Sequence, residues 1–148
     1  MAELKYVIYL DIRGKIETQM LSPKTRYAAY LVYILEVCIN ELQPTKGIIK
    51  FVNLDEDHDA ERRATTLHLS PWFVGKSQQI AVNRPDGWME IQLGMFYNDL
   101  GDNGPVEARL LKEEHHKKFM MNLVIQGIEF RPATNAEKEL GAKENVRN

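Results

Sequence analysis

The run Glu113-Glu114-His115-His116-Lys117-Lys118 gathers carboxylates, imidazoles and amines, the residue types of acid–base catalysis and metal ligation. Its spacing fits neither task. No His-Glu-x-x-His pair is present, and adjacent histidines on a strand point to opposite faces. The run reads as a surface loop. Asp55-Glu56-Asp57-His58-Asp59 has acids at alternate positions, like the opening of a calcium loop. Such a loop needs glycine at position six and a bidentate acid at position twelve, and Ala60 and Thr66 stand there. A solvated acidic loop is the better reading, and no metal ligand set is assigned. No nucleophile elbow, phosphate loop or dinucleotide fingerprint occurs. A glycosidase is defined by carboxylate separation in space, which spacing in sequence does not supply. No catalytic activity and no cofactor are expected.

Aromatic residues beside polar loops point to ligand binding instead. Trp72-Phe73 follows Ser70-Pro71 and precedes Val74-Gly75, which places the pair at a bend. Tyr97 directly precedes Asn98, Asp99, Asp102 and Asn103 in a loop that ends at Pro105. Phe119 adjoins the charged run at 113–118. Aromatic faces stack on the apolar patches of sugar rings, while amides and carboxylates bind hydroxyls. Trp88 reads as a core residue, although it shares a strand face with Glu90 rather than with Met89.

These side chains need strands to position them. Tyr6, Ile8, Leu10 and Ile12 alternate with other residues, and Ile16, Thr18 and Met20 alternate with Lys15, Glu17 and Gln19. Period two is the mark of a strand with one wet face. Asp11 to Gly14 either turns the chain or kinks a continuous strand. Met89, Ile91, Leu93 and Met95 lie on one face of a strand from Trp88 to Tyr97, and Leu123 to Phe130 suits a central, doubly covered strand. Arg26 to Ile39 fits a helical stripe as well, but its Tyr, Val and Ile content predicts a strand. Loops at Gln43–Gly47, Asn83–Gly87 and Asn98–Pro105 punctuate the chain. The expected fold is all-β: an antiparallel β-sandwich with no helix longer than about three turns.

The 148 residues carry 19 basic and 21 acidic side chains, a net charge of −2, with 44% hydrophobic residues. This is the composition of one ordinary globular domain, without a whole-molecule field for a polyanion or an acidic membrane. No apolar run reaches the roughly 20 residues of a membrane helix. Met1 to Lys5 has no basic-then-apolar leader, so no signal peptide is expected. Cys38 is the only cysteine, which excludes an internal disulfide and suits a reducing compartment. Residues 133–148 are polar and predict a flexible tail after a domain at 1–132.

Three stretches carry a family resemblance. Leu21 to Val32 reads Leu-Ser-Pro-x-Thr-x-Tyr-x-x-Tyr-Leu-Val, Arg84 to Gly94 reads Arg-Pro-Asp-Gly-Trp-Met-Glu-Ile-Gln-Leu-Gly, and Gly127 to Pro132 reads Gly-Ile-Glu-Phe-Arg-Pro. In this order the chain resembles the plant phloem lectins and the related Nictaba-type lectins. Tyr9 to Lys15 is similar to their Trp-Leu-Glu-Ile-x-Gly-Lys, with Tyr for Trp. The tryptophan-rich N-terminal segment of longer relatives has no counterpart in the chain.

The resemblance implies a jelly-roll β-sandwich that binds chito-oligosaccharides and the N-glycan core without catalysis. It also implies a cytoplasmic or phloem-sap location and a homodimer. Phe119 corresponds to a Trp or Phe near the last loop of relatives, and Asp99 lies near acidic residues that relatives use for sugar. The carbohydrate-binding set is then Trp72, Phe73, Tyr97, Asn98, Asp99, Asp102, Asn103 and Phe119. The alternative is a phloem adaptor for RNA or protein partners. It would need a basic patch assembled from Arg62, Arg63, Lys112, Lys117 and Lys118. A glycan hydrolase is the weakest reading.

Overall fold

Alternation in the sequence becomes strands in the computed structural model, which describes residues 2–5, 9–39, 45–70, 81–113 and 120–133. The strands are β1 (Ala2–Lys5), β2 (Tyr9–Glu17), β3 (Thr25–Ile39), β4 (Thr45–Phe51), β5 (Thr65–Leu67), β6 (Val82–Asn83), β7 (Met89–Asn98), β8 (Pro105–Glu113) and β9 (Met120–Pro132). The single α-helix among the described residues, α1, spans Asp57–Arg62. Two sheets form, in the orders β1-β9-β3-β7-β6 and β2-β8-β4-β5, and every pairing is antiparallel. The chain passes from one sheet to the other after β1, β2, β3, β5, β7 and β8, giving a jelly-roll-like β-sandwich.

The ambiguous segment at 26–39 is strand, the longest of all, and it holds the centre of the five-stranded sheet between β7 and β9. Its inward row, from Ala29 through Leu31 and Tyr33 to Leu35, meets Leu93, Leu110 and Leu123 in the main core. Burying such side chains stabilises by roughly 1.5–3 kcal/mol each. A smaller cluster of Tyr27, Phe96 and Val106 closes one end of the sandwich, with Tyr27 stacked on Phe96 at 5.9 Å.

Four local expectations change. β2 runs unbroken through Asp11–Gly14 but ends at Glu17, and Thr18–Met20 is a 3₁₀ turn. Thr18 leaves the ladder because its hydroxyl and its N–H both donate to the Gly104 carbonyl, at 2.8 and 3.2 Å. In β7 the register against β3 slips at Ala29/Tyr30, so Leu93 is an extra residue. This bulge swaps the faces, so Phe96 and not Met95 enters the core. Thr45, Lys46 and Gly47, expected in a turn, open β4. Gly47 is needed there because a Cβ would stand 2.3 Å from the Leu93 carbonyl oxygen. The two sheets approach backbone to backbone at this point. β9 is central in its sheet, as expected, yet its outer face is only half-buried at Val124, Gly127 and Glu129.

Candidate functional site

One end of the sandwich is built from crossovers 18–24 and 99–104 lying side by side. The Asp99 carbonyl accepts the Lys24 N–H at 2.7 Å, and the Gly104 carbonyl takes both donors of Thr18. The Val52 N–H donates to the Pro105 carbonyl at 3.0 Å, which ties in the segment after β4. Lys24 has φ 51°, a left-handed conformation that side chains resist. A non-glycine residue held in this way marks a loop fixed by its surroundings. The connection from Asn98 to Pro105 is therefore a bridge between sheets rather than a hairpin.

On this frame the expected residues divide. Tyr97 is 43% exposed on the outer face of β7, Asp99 and Asp102 face solvent, and Asn103 is half-buried. These four share one end of the molecule. Asn98 does not join them. It is 0% exposed, and its side-chain amide donates to the Ser22 carbonyl at 2.9 Å and the Thr18 carbonyl at 3.4 Å. Asn98 locks one crossover to the other and presents nothing to a ligand. Its type was right for hydroxyls, but its inward place in the strand decides its role. Trp72, Phe73 and Phe119 lie outside the described residues, as do His115, His116 and the tail from 134 onward. Met20, Leu54 and Leu100 add exposed apolar tips to the same loop end, and sequence reasoning passed over all three. Their only signal is a large apolar residue inside a polar turn.

The acidic run at 55–59 opens helix α1 instead of forming a free loop. One ligand atom each from Glu56, His58 and Asp59 lies within 4.8 Å of the others, with Glu56 and His58 exposed and Asp59 half-buried. Asp59 is already bonded to Arg62, and Arg63 reaches Asp55 at 3.1 Å. Both arginines of the expected basic patch are thus engaged with carboxylates. Lys112 is 2% exposed on the inward row of β8, where no phosphate backbone reaches it. Lys117 and Lys118 lie outside the described residues. The patch that an RNA adaptor needs is not assembled from Arg62, Arg63 and Lys112.

The outer face of the five-stranded sheet holds a second arrangement, contributed by the three stretches that carry the resemblance. Arg131 of β9 reaches across β3 to Glu90 of β7 and lies 3.8 Å above the Tyr30 ring. Arg84, before β7, reaches back across β3 to Glu129 of β9 at 2.9 Å and also pairs with Asp86 at 2.9 Å. Two charged straps therefore roof β3, and they account for the burial of Tyr30 and Val32 on an outer face. The neighbouring carboxylate of Glu129 raises the pKa of Arg84 further above its usual value. The turn beneath Arg84 is closed by Gly87 at φ 89° and by the Trp88 N–H donating to Asp86 at 3.1 Å. Trp88, expected in the core, is half-buried on the outer face.

The family-model and curated-protein comparisons agree. The family model described as phloem protein 2 matches residues 1–132. Putative F-box protein PP2-B8 of Arabidopsis thaliana is 34% identical over 149 positions, covering 88% of this chain and 46% of that protein. F-box protein PP2-B10 of the same plant is 34% identical over 148 positions, covering 89% of the chain and 48% of that protein. F-box protein PP2-B7 is 30% identical, with 93% and 47% covered. The chain spans about half the length of the curated relatives it matches.

Proposed function

The chain belongs to the phloem protein 2 family, and from that premise we propose that it is a lectin for N-acetylglucosamine oligomers. Chito-oligosaccharides and the N-glycan core are its ligands, bound without being turned over. The observation that carries the reading is the knitted loop end. It holds Tyr97 with Asp99 and Asp102 outward on crossovers that hydrogen bonds keep in place. A pyranose face stacks on the Tyr97 ring, and the carboxylates with Asn103 accept and donate to hydroxyls and the acetamido group. A site that pairs both the N–H and the C=O of the acetamide rejects plain glucose. Rigid loops limit the ordering cost of binding, which favours a weak but selective contact. Trp72, Phe73 and Phe119 are proposed as further stacking platforms.

The protein acts as a homodimer in the cytoplasm or phloem sap on this reading. Among the described residues no helix is long and apolar enough to cross a membrane. The term F-box belongs to the relatives, about half of whose length lies outside the match. A glycan array on the purified chain tests the reading. Retention on N-acetylglucosamine oligomers, little changed by salt and displaced by chitotriose, is expected. Binding that collapses steeply with salt, or release of reducing ends from the oligomers, overturns it.

A further inference from the structure

We propose that the outer face of the five-stranded sheet, between Trp88 and Gly127, is a second binding site for a neutral, hydroxyl-rich oligosaccharide. This rests on the carbohydrate reading above and adds a place that the loop end does not include. Met89 enters the core, so Trp88, one residue earlier, faces outward, and it is only half-buried. Continuing the β3–β7 register one step past Tyr33–Met89 sets Ile34 beside Trp88, and Ile34 pairs with Val124 on β9. All three side chains are half-buried. Val32 lies in the next outward row opposite Gly127, but it is already covered beneath the straps and bounds the floor without contributing to it. Trp88, Ile34 and Val124 make an apolar floor that runs from the start of β7 across β3 to β9.

Gly127 leaves the floor open. A Cβ built there meets nothing within 4 Å, and no left-handed φ calls for glycine at this position. Ile128, the next residue, packs on the core, so the bare position faces outward, above the sheet where β9 pairs with Val32 of β3 and just past the end of β1 opposite Ile125. Two strand spacings separate β7 from β9, about 10 Å, a span that a disaccharide bridges. Along β7, Trp88 stands nine residues from Tyr97, about 30 Å at strand rise. The two places are therefore separate sites on one chain.

The rim selects the ligand class. Arg84 and Arg131 are each paired with carboxylates from Asp86, Glu90 and Glu129. Mutual pairing leaves neither guanidinium unmatched for a polyanion, and it fixes the directions of the donors and acceptors. Preoriented charged groups bind neutral hydroxyls through charge-assisted hydrogen bonds, while the indole and aliphatic floor covers the apolar face of a ring. An apolar floor with a few fixed polar groups is the usual composition of a small-ligand site.

The chain has only two tryptophans, which makes the proposal directly readable. In a Trp72→Phe variant, Trp88 is the sole indole, and chitotriose is expected to shift its emission to the blue. Adding Gly127→Val fills the open floor. The concentration needed for the shift then rises more than tenfold while the melting temperature stays within about a degree. Calorimetric stoichiometry falls from two toward one, and Asp99→Ala leaves the Trp88 shift in place. Calorimetric binding with no change in Trp88 emission overturns the second site while the lectin reading stands. Absence of any chitotriose binding to the unmodified chain overturns both. The emission readout in Trp72→Phe decides the matter without the valine variant, should that variant melt early.

Discussion

Asp99 does two separable jobs, and each is a test. Its carbonyl oxygen takes the Lys24 N–H at 2.7 Å, whereas its carboxylate faces solvent. Truncation to alanine removes only the carboxylate. Asp99→Ala is expected to weaken chitotriose binding roughly ten- to a hundredfold, the scale of about 1.5–3 kcal/mol for a hydrogen bond to a charged group. Its thermal melting should match the unmodified chain, with titration calorimetry as the check. Asn98 predicts the opposite outcome one residue away. Asn98→Ala removes the donor from the buried Thr18 carbonyl and from the Ser22 carbonyl, at a cost of about 1–3 kcal/mol. A fall of several degrees in melting temperature is expected, together with unchanged sugar affinity at temperatures where the variant is folded.

At the scale of elements, two contacts decide how strands are held. Gly47 allows β4 to approach the Leu93 bulge of β7, where a Cβ would meet three backbone atoms of Leu93, all at under 3 Å. Backbone does not swing aside as a side chain does. Gly47→Ala is expected to destabilise by about 1–3 kcal/mol through overpacking, seen as a lower urea midpoint with unchanged slope. On the outer face of the four-stranded sheet, Asp11 of β2 receives two hydrogen bonds from Arg109 of β8, at 2.8 and 2.9 Å. Arg109 holds the Asp11 carboxyl well below the usual carboxylate range against the opposing effect of burial, and Arg13 adds to this. A carboxylate with a depressed folded pKa contributes stability that is complete above its unfolded value near 3.9. That contribution is lost as pH falls below about 4 toward the folded value. Asp11→Asn should therefore cost about 1.5–3 kcal/mol at neutral pH. The gap to the unmodified chain should narrow in urea titrations repeated at pH 4, 3 and 2, and a pH-independent gap would assign the loss to packing.

For the whole molecule the question is assembly. β2 lies at the edge of its sheet over nine residues, with no proline, and its charged side chains all face outward. Such an edge invites association, and a two-fold homodimer is the expected closed solution. Light scattering across the micromolar range should give about 34 kDa, twice the 17.1 kDa chain, and a constant single-chain mass would refute the dimer. Two sites per chain, doubled by a partner, would hold branched or repeated glycans by avidity. Multivalent chitin should then be retained far longer than chitotriose, which surface plasmon resonance at low and high ligand density would display.

Local pattern in the sequence determined most of the strands. Period-two alternation and β-branched residues placed β2, β3, β7 and β9 to within a few residues, because the pleat needs only a residue and its second neighbour. The turn at Asn83–Gly87 was equally legible, since Gly87 supplies the positive φ that its turn requires. Tertiary structure alone decided what lay beyond that range. The Leu93 bulge swapped Met95 for Phe96 in the core, and Asn98 turned inward to brace Ser22, although both segments alternate normally. Gly47 read as a turn residue until Leu93 came against it. The straps Arg84–Glu129 and Arg131–Glu90 join residues 45 and 41 positions apart, and Lys112 was counted as surface until β8 faced it into the sandwich. Backbone preference is set by neighbours along the chain. Burial and charge pairing are set by which strands lie side by side and which sheets stack, and those distances do not exist until the chain has folded.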